Sequence, residues 1–290
     1  MRRWTTALCL LVALAAGGIS AQGKGIQYRF HTLTAALEGR LHPVTRRNAA
    51  AVIRYGTWGQ ATGVLVAGVP GQDATGLVLT NEHVYRQGPK AEMLFPGGEL
   101  ARLIRVVAAK RSLDYALLEV ELPATSTSRP VALRSRDARR GEEVYSVSAS
   151  ANPFSGRRKL ERWLSVHSGN RASVEKARRE KAMRTIQRGH AFHRHPHRRM
   201  TPEGRRQSVE STIFALPNTI GASGSPVFSV ADHQMIALHW GGSGRPGRWL
   251  SSGTPMRLIL KDLAWQLRRG KIPPALAARV QSLVDGANAR

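Results

Sequence analysis

The sequence predicts a mostly β protein of antiparallel strands, arranged as a sandwich or a pair of barrels and closed by a C-terminal helix. Short β-branched and apolar runs follow one another at roughly ten-residue spacing from Ala51 onward, with glycine-rich turns between them. None of these runs has the length or the period of a helix. The exception lies near the end, where Met256, Leu258, Ile259, Leu263 and Leu267 recur at three- and four-residue spacing, the mark of an amphipathic helix.

Taken in order, the chain opens with Met1-Arg2-Arg3, a short apolar run and the small residues Ile19-Ser20-Ala21. That is the layout of a secretory signal cleaved after Ala21. The run is shorter than the ~20 residues that span a bilayer, so no transmembrane helix is expected once it is removed. Cys9, the only cysteine, lies inside it, and the mature chain has no disulfide or thiolate chemistry. About 265 residues remain, enough for a core without covalent staples. Residues 22–50 are polar and basic and read as a pro-segment or a leading arm.

Strand-like segments then succeed one another: AAVIRYG, TGVLVAG, TGLVLTN, EMLFPGG, RLIRVVAA, YALLEV and EEVYSVSA. The texture changes from Gly156 to Gln207. Between Arg157 and Arg206 there are 16 Lys or Arg against 4 Glu, with 5 histidines besides. The stretch SVEKARREKAMRTIQRG reads as a charged helix or a mobile loop, and RWLSVHSG as a short embedded strand. Strands resume at VESTIFALP, SPVFSV and QMIALHWGG, the closing helix follows, and a short tail is expected after Pro273-Pro274.

Three places carry candidate chemistry. Gly221-Ala222-Ser223-Gly224-Ser225-Pro226 sits between two strand-like runs. A serine hydroxyl becomes a nucleophile only when a base takes its proton and donors meet the developing oxyanion. Glycine at 221 lets its own N–H and that of Ser223 point at one spot, an oxyanion hole worth ~3 kcal/mol per donor. His83 follows the strand GLVLT, and an imidazole with a pKa of about 6.5 takes and returns a proton near neutrality. Asp114 opens the apolar run YALLEV, where a partly buried carboxylate needs a partner and would hold the imidazole in one tautomer. Alone, each residue also fits an ordinary turn. Together they stand in the order His, Asp, Ser, separated by 31 and 109 residues. That order excludes the subtilisin and α/β-hydrolase arrangements.

These segments resemble the chymotrypsin-fold serine peptidases, and within them the bacterial glutamyl endopeptidase-like branch. LTNEHV is similar to the block around that branch's catalytic histidine, DYALLEV to the block around its aspartate, and GASGSPVF followed by QMIALHWGG to its serine block and following strand. The likeness covers roughly residues 62–114 and 208–267. It implies two six-stranded antiparallel β-barrels with a C-terminal helix, a site in the cleft between barrels, and peptide-bond hydrolysis through an acyl-enzyme. His83, Asp114 and Ser223 would be catalytic, and Gly221 and Ser223 would form the oxyanion hole. His239 matches the histidine that helps bind a substrate glutamate. Asn218 stands where the branch has threonine, with Thr219 beside it, and both belong to the expected substrate pocket.

The expected organisation is a signal at 1–21, an arm at 22–50, a first barrel with His and Asp at 51–150, a basic insert at 151–207, a second barrel with its helix at 208–270 and a tail at 271–290. A secreted or periplasmic monomer acting on proteins or peptides is expected. The formal net charge of +25 attracts polyanions, so an anionic cell-envelope polymer or nucleic acid is a candidate partner for residues 157–206. The alternative function is an inactive or weak protease-fold protein that binds polyanions there. His190, His193, His195 and His197 offer imidazoles, but structural zinc wants four well-placed groups and the flanking arginines repel a cation. No metal and no cofactor is expected.

Overall fold

The computed structural model describes residues 29–32, 51–55, 59–86, 92–95, 100–148, 185–200, 206–216, 222–245 and 248–289. Six strands close into a barrel in the order β2-β3-β4-β7-β6-β5. They are β2 (Ala51–Tyr55), β3 (Gly59–Ala67), β4 (Thr75–Thr80), β5 (Glu92–Leu94), β6 (Leu100–Lys110) and β7 (Tyr115–Glu121). Every ladder in it is antiparallel.

Successive side chains of a strand face opposite ways, and here both faces are buried. Leu65, Val78, Ala116, Leu118 and Val120 fill the barrel. Val64, Val66, Leu77, Leu79, Tyr115 and Leu117 point outward into a second core. Two buried faces explain why TGLVLT and YALLEV read as continuous apolar runs instead of alternating ones.

The second unit is a seven-stranded sheet ordered β1-β9-β10-β13-β12-β11-β8, in which β9 also pairs with β8. Its strands are β1 (Arg29–Thr32), β8 (Glu143–Ser148), β9 (Thr185–Met200), β10 (Arg206–Phe214), β11 (Pro226–Ser229), β12 (Met235–Arg245) and β13 (Arg248–Pro255). Val144, Phe214, Val227 and Ile236 make its own core. Tyr145, Val147, Phe228 and Leu238 face the core shared with the first barrel.

Among the described residues three helices complete the fold: α1 (Glu82–Arg86), α2 (Met256–Arg268) and α3 (Pro274–Asn288). The closing helix expected from the 3–4 spacing is α2, with Met256, Ile259, Leu260 and Leu263 buried.

Two expectations need correction. The described part of the basic stretch is not a helix or loop but the long strand β9, paired with β8 on 185–190 and with β10 on 191–200. Pairing partners remote in sequence decide this, which local charge density does not reveal. Gly189 allows it, because a Cβ there would lie 1.9 Å from the Ala215 carbonyl oxygen. The strand expected at RWLSVHSG lies outside the described residues. The second correction concerns the tail. Residues 274–288 form α3, which buries Leu276, Val280, Val284 and Ala287 on one stripe. Proline fits the first turn of a helix as well as it ends one. Arg279 ties α3 to the first barrel, donating to Thr75 Oγ1 and to the Thr75 carbonyl at 2.8 Å each.

Candidate functional site

β4 ends at Thr80, Asn81 follows it, and α1 carries His83 directly after them. The next ladder over brings Asp114, because β4 pairs antiparallel with β7 and Thr80 faces Ala116. Barrel register therefore joins residues 31 apart in sequence. His83 Nδ1–H donates to Asp114 Oδ2 at 2.7 Å, and the His83 backbone N–H donates to Oδ1 at 3.0 Å. Both carboxylate oxygens thus accept from one residue. An acceptor at Nδ1 fixes the tautomer, so Nε2 keeps its lone pair for a proton.

Asp114 is 1% exposed, and its backbone lies in the left-handed region at φ 50°. Aspartate tolerates that region better than most residues. A tight turn sets it there, with Leu113 N–H donating to the Lys110 carbonyl and Asp114 N–H to the Arg111 carbonyl. The Asp114 carbonyl accepts from Asn81 Nδ2 at 2.9 Å.

Ser223 is half-buried and its backbone is stitched to the barrel. Thr62 N–H donates to the Ser223 carbonyl at 2.8 Å, while Thr80 Oγ1–H donates to the Thr62 carbonyl at 2.8 Å. Gly224, at φ 82°, rests against the same spot: a Cβ there would lie 1.9 Å from Thr62 O and 2.5 Å from Thr80 Oγ1. The serine segment thus docks on Thr62 and Thr80, three residues before His83.

His239 lies on β12, and its strand brackets the serine turn. Gly224 N–H donates to the His239 carbonyl, and His239 N–H donates to the Ser225 carbonyl. Its ring Nδ1–H donates to the Ala222 carbonyl at 2.9 Å. The other nitrogen, Nε2, is buried with no hydrogen-bond partner. Burial pushes the imidazole down to about 4, and His83 adds to the push.

Gly221, Asn218 and Thr219 lie outside the described residues. His193, His195 and His197 stand on β9, and their side chains lie outside those described. Among the described residues, no three His, Cys, Asp or Glu gather as metal ligands do. Sequence reasoning missed the parts played by Thr62, Thr80 and Asn81, although Thr80 and Asn81 both stood within the LTNEHV block already singled out.

A family model described as "trypsin-like peptidase domain" matches residues 61–238, a span that takes in His83, Asp114 and Ser223. The chain belongs to this family. No curated protein sequence compared with it matches. Among solved structures, this trypsin-like peptidase is similar to the active form of the Rv3671c protease from M. tuberculosis. The two are 16% identical over 80% of this chain and 86% of that one, with a TM-score of 0.55. The MamO protease domain from Magnetospirillum magneticum is 14% identical over 76% and 97% of the two chains, with a TM-score of 0.51. A serine endoprotease from Yersinia pestis is 15% identical over 79% and 66%, with a TM-score of 0.50. At such identities the likeness is one of fold. Among the described residues, no helix is long and apolar enough to cross a membrane.

Proposed function

We propose that this trypsin-like peptidase is an exported serine endopeptidase whose triad is His83, Asp114 and Ser223. The observation that carries this is the double hydrogen bond from His83 to the buried Asp114 carboxylate, beside a serine segment bonded to Thr62 of β3, which Thr80 of the strand leading to His83 bonds in turn. Ser223 Oγ attacks the scissile carbonyl carbon while His83 Nε2 takes its proton. Asp114 stabilises the imidazolium that forms. The backbone N–H groups of Gly221 and Ser223 receive the oxyanion. Collapse of the tetrahedral intermediate passes the proton from His83 to the leaving amine, and water then repeats the sequence on the acyl-enzyme. The pairing of β8 with β9 as well as β11 supports reading β8 to β13 as the second barrel of the pair. The basic, apolar and small-residue succession at 1–21 supports export to the periplasm or beyond.

The preference proposed is for Glu or Asp before the scissile bond, met by His239, with Asn218 and Thr219 assigned to the same pocket by the resemblance alone. With its Nδ1–H committed to the Ala222 carbonyl, His239 donates to a carboxylate only when Nε2 is protonated. Burial keeps the ring neutral at pH 7, since its pKa is held to about 4. Binding a glutamate side chain therefore takes up one proton, shared between carboxyl and imidazole. The sign follows: the preference is strongest at low pH and weakens as pH rises. Comparing kcat/KM for peptides differing only in Glu or Gln at that position cancels the titration of His83, which both need. The Glu/Gln ratio is expected to exceed unity near pH ~5.5 and to fall by up to about tenfold per pH unit above it. Ser223→Ala should abolish cleavage of both. A flat ratio, or faster cleavage after Gln or Lys at the acid end, contradicts the preference while leaving the triad standing.

A further inference from the structure

The turn that presents Asp114 is anchored from the far end of the chain. Lys110 Nζ, at its start, donates to Asp262 Oδ1 of α2 at 2.9 Å. The Leu113 carbonyl accepts from Thr254 Oγ1 at 2.7 Å. Tyr115, directly after Asp114, donates its hydroxyl to Asp262 Oδ2 at 2.6 Å. Gln266, one turn along α2, donates Nε2 to the same oxygen at 2.7 Å and to the Tyr115 hydroxyl at 3.1 Å.

These contacts share one address. Three residues within 110–115 are held by a segment, 254–266, more than 130 positions away, and Asp262 takes two of the three. Three of its members are buried, Asp262 at 8% exposed, Gln266 at 8% and Tyr115 at 0%, while the Lys110 side chain reaches solvent. Burial works against the Asp262 charge, yet the hydrogen bonds from Tyr115, Lys110 and Gln266 hold it below the usual carboxylate range. Burial, then the neighbouring Asp262, pushes the Tyr115 hydroxyl far upward, so it remains a donor. A left-handed aspartate persists only where its surroundings over-determine it. The backbone bonds inside the turn are 3.1 and 3.2 Å long, longer than the side-chain bonds that Asp262 accepts from Lys110 and Tyr115.

We propose that Asp262 is a positioning residue for Asp114: through Tyr115 and Lys110 it fixes the turn so that both oxygens of Asp114 face His83. The reaction it serves rests on the triad reading. In that role α2 is part of the machinery that sets the basicity of His83, in addition to closing the core.

The test is the titration of His83, followed by NMR on protein carrying isotope-labelled histidine, in wild type, Asp262→Ala, Asp262→Asn and Tyr115→Phe. Asp262→Ala should release Asp114 from His83 and lower the His83 midpoint by about one pH unit. Its kcat, normalised to active sites, should fall tenfold or more, with KM within about twofold. Asp262→Asn keeps an acceptor for the Tyr115 hydroxyl and should recover much of both. Should Asp262→Ala not fold, Tyr115→Phe keeps the ring in the core and should move His83 in the same direction. An unmoved His83 midpoint in a folded Asp262→Ala or Tyr115→Phe protein overturns the proposal. Wild type that hydrolyses nothing would overturn the triad reading instead, while the NMR midpoints still decide the clamp.

Discussion

At Ser223 the backbone fixes where the hydroxyl sits. Its carbonyl is bound by Thr62, and the next residue occupies a left-handed conformation pressed against Thr62 and Thr80. Glycine alone meets both demands at 224. Gly224→Ala should cost about 2–4 kcal/mol of stability, measured by urea unfolding, and lower kcat/KM in the molecules that remain folded. A variant as stable and active as wild type contradicts this packing. The order His, Asp, Ser was legible because each residue abuts a strand end. The φ of Asp114 and the donor role of Asn81 were not, since the first depends on the turn closed on Lys110 and Arg111 and the second on ladder register between β4 and β7. Gly221, Asn218 and Thr219 rest on the resemblance alone.

Strands were the legible elements, and the reason is visible in the barrel. Runs such as GVLVA and LVLT are apolar on both faces because one face fills the barrel and the other meets the shared core. Two elements escaped. β9 carries so much charge that its local sequence favours helix or loop, and only its ladders with β8 and β10 make it a strand. α3 hid behind two prolines, although Leu276, Val280 and Val284 repeat at four-residue spacing. Leu276 is 4% exposed, and Leu276→Ala should destabilise the protein by about 2–5 kcal/mol. Because α3 docks on the far side of β4 through Arg279 and Thr75, kcat per active site should stay at the wild-type value. A thermal midpoint unchanged by Leu276→Ala would show that α3 does not hold the core.

At the scale of the molecule, one hydrophobic cluster joins the first barrel, the second sheet and both C-terminal helices. The two halves of the proposed site are therefore held by a common core, with His83 and Asp114 from one side and Ser223 and His239 from the other. The net charge of +25 has no counterpart in that geometry. Much of it lies in residues 157–206, whose described part contributes β9 to the sheet. The central claim is that Ser223 is an activated nucleophile, and labelling with an activated fluorophosphonate tests it most directly. The account predicts one label per processed chain, mapped to Ser223, absent from Ser223→Ala and slower by on the order of a thousandfold in His83→Ala. Processed wild type that takes no label, or a label that persists in Ser223→Ala, would contradict it.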